Sequence, residues 1–169
     1  SPWESMKPLM ARPGETALSG RTLRLDGTPL SGVALTIDGH QARTDGTGRF
    51  LIRLDEAAAG HEEMWVDGRP ASSGSAVYGT YEIGVELVAG RTTVLPYTVW
   101  MGALDTAHAV TIESPTRGAY RIATPLIPGL ELRLPAGTVI RDHEGQPVTR
   151  VSITPVPLNR PPFPLPVGV

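Results

Sequence analysis

The sequence predicts an all-β chain, and three observations predict it. Apolar and polar residues alternate over many short runs, the period of a strand with one buried face. The 19 glycines and 17 prolines are spread between those runs as punctuation, the pattern of turns in a β protein. The one helical candidate, Asp55-Glu56-Ala57-Ala58-Ala59, is stopped at once by Gly60 and is too short to stand alone in water, so it reads as a single turn within a loop.

Residues 1–15, with Pro2, Pro8, Pro13 and Gly14, have no period and read as an extended lead-in. Leu18 to Leu25 form a first strand, closed by the turn Asp26-Gly27-Thr28-Pro29. Val33, Leu35 and Ile37 alternate with Ala34, Thr36 and Asp38, and Asp38-Gly39 ends that strand. His40 to Thr44 and Arg49 to Leu54 flank Asp45-Gly46-Thr47-Gly48, which predicts a hairpin joining them. Met64-Trp65-Val66 form a further run, and residues 69–76 form a small-residue loop. The cleanest alternation is Tyr81, Ile83, Val85 and Leu87 against Thr80, Glu82, Gly84 and Glu86.

Beyond Gly90, Thr92 to Trp100 is β-rich but broken by Pro96, which places it at an edge or bend. His108–Glu113, Ala119–Thr124, Leu130–Leu134, Thr138–Ile140 and Val148–Thr154 follow as short strands between turns. Prolines 155, 157, 161, 162, 164 and 166 make the end of the chain extended and polyproline-like. The expected organisation is a lead-in (1–15), a β-sandwich (16–90), a second β unit (91–154) and a proline-rich tail (155–169), with the two units meeting near residues 88–105.

Composition excludes several function classes. A net charge of -2 gives no electrostatic footprint for nucleic acid or an anionic membrane, so neither is expected as a partner. The chain has no cysteine, hence no disulfide, thiolate zinc site or thiol catalysis. No apolar run is long enough to span a bilayer. Lys7 is the one lysine among 15 basic residues, a composition that suggests a GC-rich bacterial gene. The opening residues, Ser1-Pro2-Trp3-Glu4-Ser5, carry neither an initiator Met nor a signal-peptide core, so the chain reads as a processed or excised piece.

Catalytic patterns are missing too. No Gly-x-Ser-x-Gly elbow, Walker loop or dinucleotide fingerprint exists. His61-Glu62-Glu63-Met64-Trp65 begins like a zincin motif but has Trp65 where the second histidine must stand. His40, His61, His108 and His143 are scattered, and the acidic turns at Asp45 and Asp142 lack the ligand ladder of a calcium loop. No cofactor, metal or catalytic residue is expected. The candidate ligand or partner contacts are Trp65, Tyr78 and Trp100, as stacking aromatics, with Arg160 and Phe163 of the proline tract.

The stretch Ser19-Gly20-Arg21 … Asp26-Gly27-Thr28-Pro29-Leu30-Ser31-Gly32-Val33 … Thr44-Asp45-Gly46-Thr47-Gly48-Arg49-Phe50 resembles the carboxypeptidase regulatory-like domain, with its "G-x-P-L-x-G-V" turn and "T-D-x-x-G-x-F" entry to the next strand. The resemblance implies a prealbumin-like β-sandwich for the first half and is nearly silent on function. Leu130 to Val139 is similar to the signature of ZU5-type β domains, and Ile153 to Pro166 resembles segments near the N-terminus of large bacterial Rhs/YD-repeat proteins. The His-Phe-Ser step at which some ZU5 domains cleave themselves is absent. In the resembling proteins a further strand follows the proline tract, which would leave the second unit incomplete here. The resemblance implies a non-catalytic structural or interaction module of a large secreted or surface protein. Its partners would be the remainder of that polypeptide or a delivery apparatus, with self-association through an exposed strand edge. A carbohydrate- or cell-surface-binding module stands as the alternative, favoured if Trp65, Tyr78 and Trp100 are exposed. A hydrolase is the third reading, to be revived by a cleft joining a histidine to a carboxylate.

Overall fold

The computed structural model describes residues 1–165, and over them the chain is all-β, as the alternation predicts. Residues 166–169, the last four of the predicted tail, lie outside the described residues. Two compact units are present. One comprises Ser1–Ala103 with the segment that returns from Val156, and the other is Leu104–Pro155.

The first unit is a sandwich of two four-stranded sheets. In one, β1 (Thr16–Arg24) pairs antiparallel with β4 (Arg49–Leu54) and parallel with β7 (Thr92–Val94) and β8 (Val99–Met101). In the other the order is β3 (His40–Arg43), β2 (Ala34–Ile37), β5 (Gly60–Asp67) and β6 (Thr80–Leu87), all antiparallel. The inward faces are the apolar halves of the alternating runs: Leu18, Phe50 and Ile52 from the first sheet, Leu35, Ile37, Met64, Val66, Ile83 and Val85 from the second. Gly20 is placed opposite Phe50, whose ring lies where any side chain at residue 20 would stand.

Two sequence expectations need correction. The hairpin is formed at Asp38-Gly39, both at positive φ, with Ile37 opposite His40. The turn at Asp45–Gly48 instead carries the chain from one sheet to the other, because β3 pairs with β2 while β4 pairs with β1. The two compact units divide after Ala103, within residues 88–105, because the run broken by Pro96 follows β1 on both sides of the break: Ala17 faces Thr92, and Leu23 faces Trp100. Residues 138–140 form no strand, and only Arg150–Val151 of the last predicted run is a strand, β12. The segment Asp55–Ala58 is a single turn, with Ala58 N donating to Asp55 O at 2.9 Å.

The two motif turns are locked together by one buried threonine. Thr44 Oγ1 donates to Leu30 O at 2.7 Å and accepts from Val33 N at 3.0 Å. Its backbone closes the same loop, through Thr44 N to Val33 O and Gly32 N to Thr44 O, both 3.0 Å. Thr22 of β1 adds a second hydroxyl to Leu30 O at 2.9 Å and donates its own N–H to Gly48 O at 2.7 Å. Gly48 has a φ of +75°, and a Cβ there would lie 2.4 Å from Thr22 O, so only glycine fits.

The lead-in is not free. Arg21 of β1 donates to the carbonyls of Trp3, Glu4 and Met6, and Arg49 donates to Lys7 O at 2.8 Å. Ala11 N reaches Thr92 Oγ1 at 2.9 Å. These contacts cover the outer face of the first sheet, which is why β1 is buried along almost its whole length.

The second unit has two small sheets. β10 (Tyr120–Ala123) pairs with β11 (Glu131–Leu134), and β9 (Val110–Thr111) pairs with β12 (Arg150–Val151). Its buried core is Ile112, Ile122 and Leu134, with Val110, Tyr120, Ile140, Val151 and Ile153 packed partly against it. Asp105 supplies a polar clamp. Its carboxylate accepts from Thr124 Oγ1 at 3.1 Å and meets His108 Nδ1 at 2.9 Å, and its backbone N–H donates to Thr154 Oγ1 at 2.9 Å.

Both networks can be probed directly. Thr44→Val leaves Val33 N–H unpaired in the interior and should cost about 1–3 kcal/mol, read as a lower denaturant midpoint, with Thr44→Ser close to wild type. The hydrogen bond to His108 is the main cause holding the Asp105 carboxyl below its ordinary value. A carboxyl with a depressed folded pKa stabilises above the unfolded value and loses that contribution as pH falls through the folded one. Amide protection in the second unit should therefore fall on acidification below about pH 4, and Asp105→Asn should remove that pH dependence.

Candidate interaction surfaces

Each histidine is matched with its own carboxylate: His61 Nδ1 with Glu86 at 2.8 Å, His108 with Asp105 at 2.9 Å, His40 with Asp55 at 3.5 Å, and His143 with Glu144 at 3.7 Å. Among the described residues no three His, Asp or Glu side chains converge on a metal-sized site. The acidic turns use their carboxylates internally. Asp45 Oδ1 accepts from Thr47 N, Thr47 Oγ1 and Arg49 N, and Asp142 Oδ1 accepts from Glu144 N and Gln146 N. Asp26 does the same for Thr28, whose hydroxyl is the main cause lowering the Asp26 carboxyl. These are turn-forming hydrogen bonds, the reason Asp leads such turns. No histidine lines the grooves at Met10–Val88, Tyr120–Arg133, Trp100–Phe163 or Arg21–Tyr97.

The five predicted contact residues go to different places. Trp65 lies on β5 at the outward face of the second sheet, half-buried, opposite Thr36 of β2 and Glu82 of β6. Tyr78 is buried at 5% exposure and Trp100 at 8%, so the condition set for a sugar-stacking platform fails for two of its three aromatics. The Arg160 guanidinium sits 4.7 Å from the centre of the Trp100 ring and also donates to Leu25 O. Phe163 meets Tyr81 edge-on, with ring centroids 6.2 Å apart, and packs against the main core. The proline tract is thus a strap on its own sandwich. Its stiffness limits the entropy lost on docking, and Arg160 and Phe163 are its two anchors. Around them Tyr97, Thr98, Asn159 and Pro161 leave a groove of about 220 Å³.

Sequence reasoning missed a different surface. Leu130, Leu132 and Leu134 alternate with Glu131 and Arg133, which predicts one buried apolar face. Leu134 is buried, but Leu132 is 42% exposed and Leu130 45%, and Leu126 in the preceding turn is 57% exposed. The sheet here has only two strands, so the apolar face of the hairpin extends beyond the core it lies on. No local pattern in the sequence signals it, because the residues between Leu104 and Pro155 are about as apolar as the rest of the chain.

The strap makes a prediction for the first unit. Phe163→Ala removes a partly buried ring packed against the main core and should cost about 1–3 kcal/mol by denaturant unfolding. Arg160→Ala should shift Trp100 fluorescence with a smaller loss of stability, about 0.5–2 kcal/mol. Unchanged stability in both variants would mean that the strap is not docked.

No family model matches the chain, and no curated protein matches it. Among solved structures, it is similar to a chain in the crystal structure of a type II cohesin–X-dockerin complex from Acetivibrio cellulolyticus, at 25% identity and a TM-score of 0.39. The alignment covers 53% of this chain and 59% of that one, so it spans about three-fifths of the matched protein.

Proposed function

We propose that the chain is a non-catalytic structural and interaction module, in which a strapped β-sandwich bears a smaller β unit that offers an apolar ridge to a partner. One observation carries the reading. Leu126, Leu130 and Leu132 stand exposed on a unit whose buried core is Ile112, Ile122 and Leu134. Clustered large apolar side chains on so small a unit are the usual mark of a surface that is covered in use.

The context we propose is the N-terminal region of a large, secreted, Rhs-like bacterial protein, with the module packing against the rest of that polypeptide or its delivery apparatus. Support comes from the resemblance of residues 130–139 and 153–166 to such proteins. The motif residues Asp26–Val33 and Thr44–Phe50 also have a physical role in the sandwich, as the turns that Thr44 and Thr22 join. No described helix is long and apolar enough to cross a membrane, a statement that does not extend to β-barrels.

Two measurements test this reading. The mass of the polypeptide in its native source should lie far above 18.0 kDa, and a native product ending at Val169 would overturn the proposed context. A hydrophobic dye should bind the isolated chain, and Leu130→Ser with Leu132→Ser should abolish that binding without lowering the stability of the sandwich. Dye binding unaffected by both substitutions would overturn the interaction surface.

A further inference from the structure

We infer that the leucine ridge pairs with a second copy of this chain, strand β11 against strand β11, antiparallel about a twofold axis through Leu132. The inference rests on the reading of that ridge as an interaction surface and names its occupant.

β11 has one strand neighbour among the described residues, β10, through the register Tyr120–Leu134, Arg121–Arg133, Ile122–Leu132 and Ala123–Glu131. Paired residues share a face. Leu132, Leu134, Tyr120 and Ile122 therefore lie on one side of the hairpin, while Glu131, Arg133 and Arg121 lie on the other. The far edge of β11 presents backbone donors and acceptors that a further strand can meet. Ile122 of β10 is fully buried, whereas Leu132 of β11 and Leu130 just before it are exposed, so the uncovered apolar surface lies on the β11 side.

The segment Leu130-Glu131-Leu132-Arg133-Leu134 is complementary to itself when reversed. About a twofold at Leu132, Leu130 faces the second copy's Leu134, Glu131 faces the second copy's Arg133, and Leu132 faces Leu132. Apolar meets apolar on one face, and opposite charges meet on the other. A slip of two residues in either direction sets Glu131 against Glu131 or Arg133 against Arg133. A slip of one residue turns the leucines to the wrong face. An in-register parallel arrangement stacks like charges throughout. One register is left.

Within a single chain Glu131 already binds Arg133, with Arg133 Nε at 2.8 Å, and lies 3.4 Å from Arg121 Nε. The two arginines are 71% and 69% exposed, so guanidinium remains available to a second Glu131. The product is a four-stranded sheet in the order β10, β11, β11, β10. It also supplies what a two-stranded hairpin lacks, since hairpins of that size are marginal alone. An isologous contact of this kind closes on itself and makes dimers rather than fibres.

A charge-swap experiment on the whole chain tests the register. Wild type should rise from 18.0 kDa toward twice that mass with concentration in sedimentation equilibrium. Glu131→Arg and Arg133→Glu should each weaken association by roughly tenfold or more, because each puts like charges opposite. The double variant, and an equimolar mixture of the two single variants, should associate again, because every pair is then opposite in sign. A monomeric wild type, or a mixture that stays monomeric, overturns the inference. Should the reversals unfold the hairpin, cysteine scanning decides. The chain has no cysteine, so Leu132→Cys adds a single thiol. The twofold sets the two introduced thiols on directly opposed positions, at a cross-strand spacing of roughly 4.5–5.5 Å. They should oxidise to a covalent dimer far faster than those of the control Leu158→Cys, whose native residue is 85% exposed. Equal rates overturn the pairing. A chain that is monomeric yet still binds dye through Leu130 and Leu132 loses this inference while the interaction surface stands.

Discussion

The carbonyl oxygen of Leu30 lies in the interior with no strand neighbour to receive it, and two hydroxyls, from Thr22 and Thr44, are brought in to bond it. A buried acceptor left alone costs about 1–3 kcal/mol, so the chain segments that bring those hydroxyls are held to one another by that need. Thr22 belongs to β1, the central strand of the first sheet. Thr44 directly follows β3, the edge strand of the second. Leu30 stands in the loop that leads into β2. One acceptor thus ties a strand of the first sheet and the residue that follows an edge strand of the second to the loop that leads from one to the other. The close approach of Gly48 to Thr22 completes the tie from the side of β4.

The two units solve the problem of burial differently. The sandwich faces two sheets toward each other, and its outer covering comes from chain segments that are not strands at all. Carbonyls of the lead-in are gripped by Arg21 and Arg49, and the proline strap is gripped through Trp100 and Tyr81. Arginine suits the first task because its guanidinium donates to several carbonyls from a single side chain. The second unit has two sheets of two strands each, and among the described residues Leu126, Leu130 and Leu132 stay exposed on it. Its polar clamp at Asp105 holds three segments together, but a clamp buries little apolar area.

Much of the fold was legible in the sequence, because strand period and turn chemistry are local. The alternation at Tyr81–Leu87 and Arg49–Leu54 became strands with the expected inward faces, and Pro96 broke its run where a backbone donor was missing. Pairing was less legible. Two strands on either side of an Asp-Gly turn suggest a hairpin, yet Asp45–Gly48 connects different sheets, because the contacts that redirect the chain come from Thr22 and Leu30, distant in sequence. Where within residues 88–105 the first unit ends was not legible for the same reason: β7 and β8 find β1 only in three dimensions. The candidate site was legible in residue type but not in role. Trp100 and Arg160 were singled out as surface contacts, and they do make a contact, with each other. The exposed leucines follow from how few strands lie behind β11, a quantity no local pattern contains.

The chain leaves the sandwich after Ala103 and rejoins it at Val156, so the smaller unit is a loop excursion from the larger one. Tension applied between residues 1 and 165 would therefore act first on the lead-in and the strap. The smaller unit lies outside the load path while Arg160 and Phe163 hold. Once they release, the pull passes directly through residues 104–155, whose thin core offers little resistance. The strap's two anchors thus stand between an applied pull and the leucine-bearing unit.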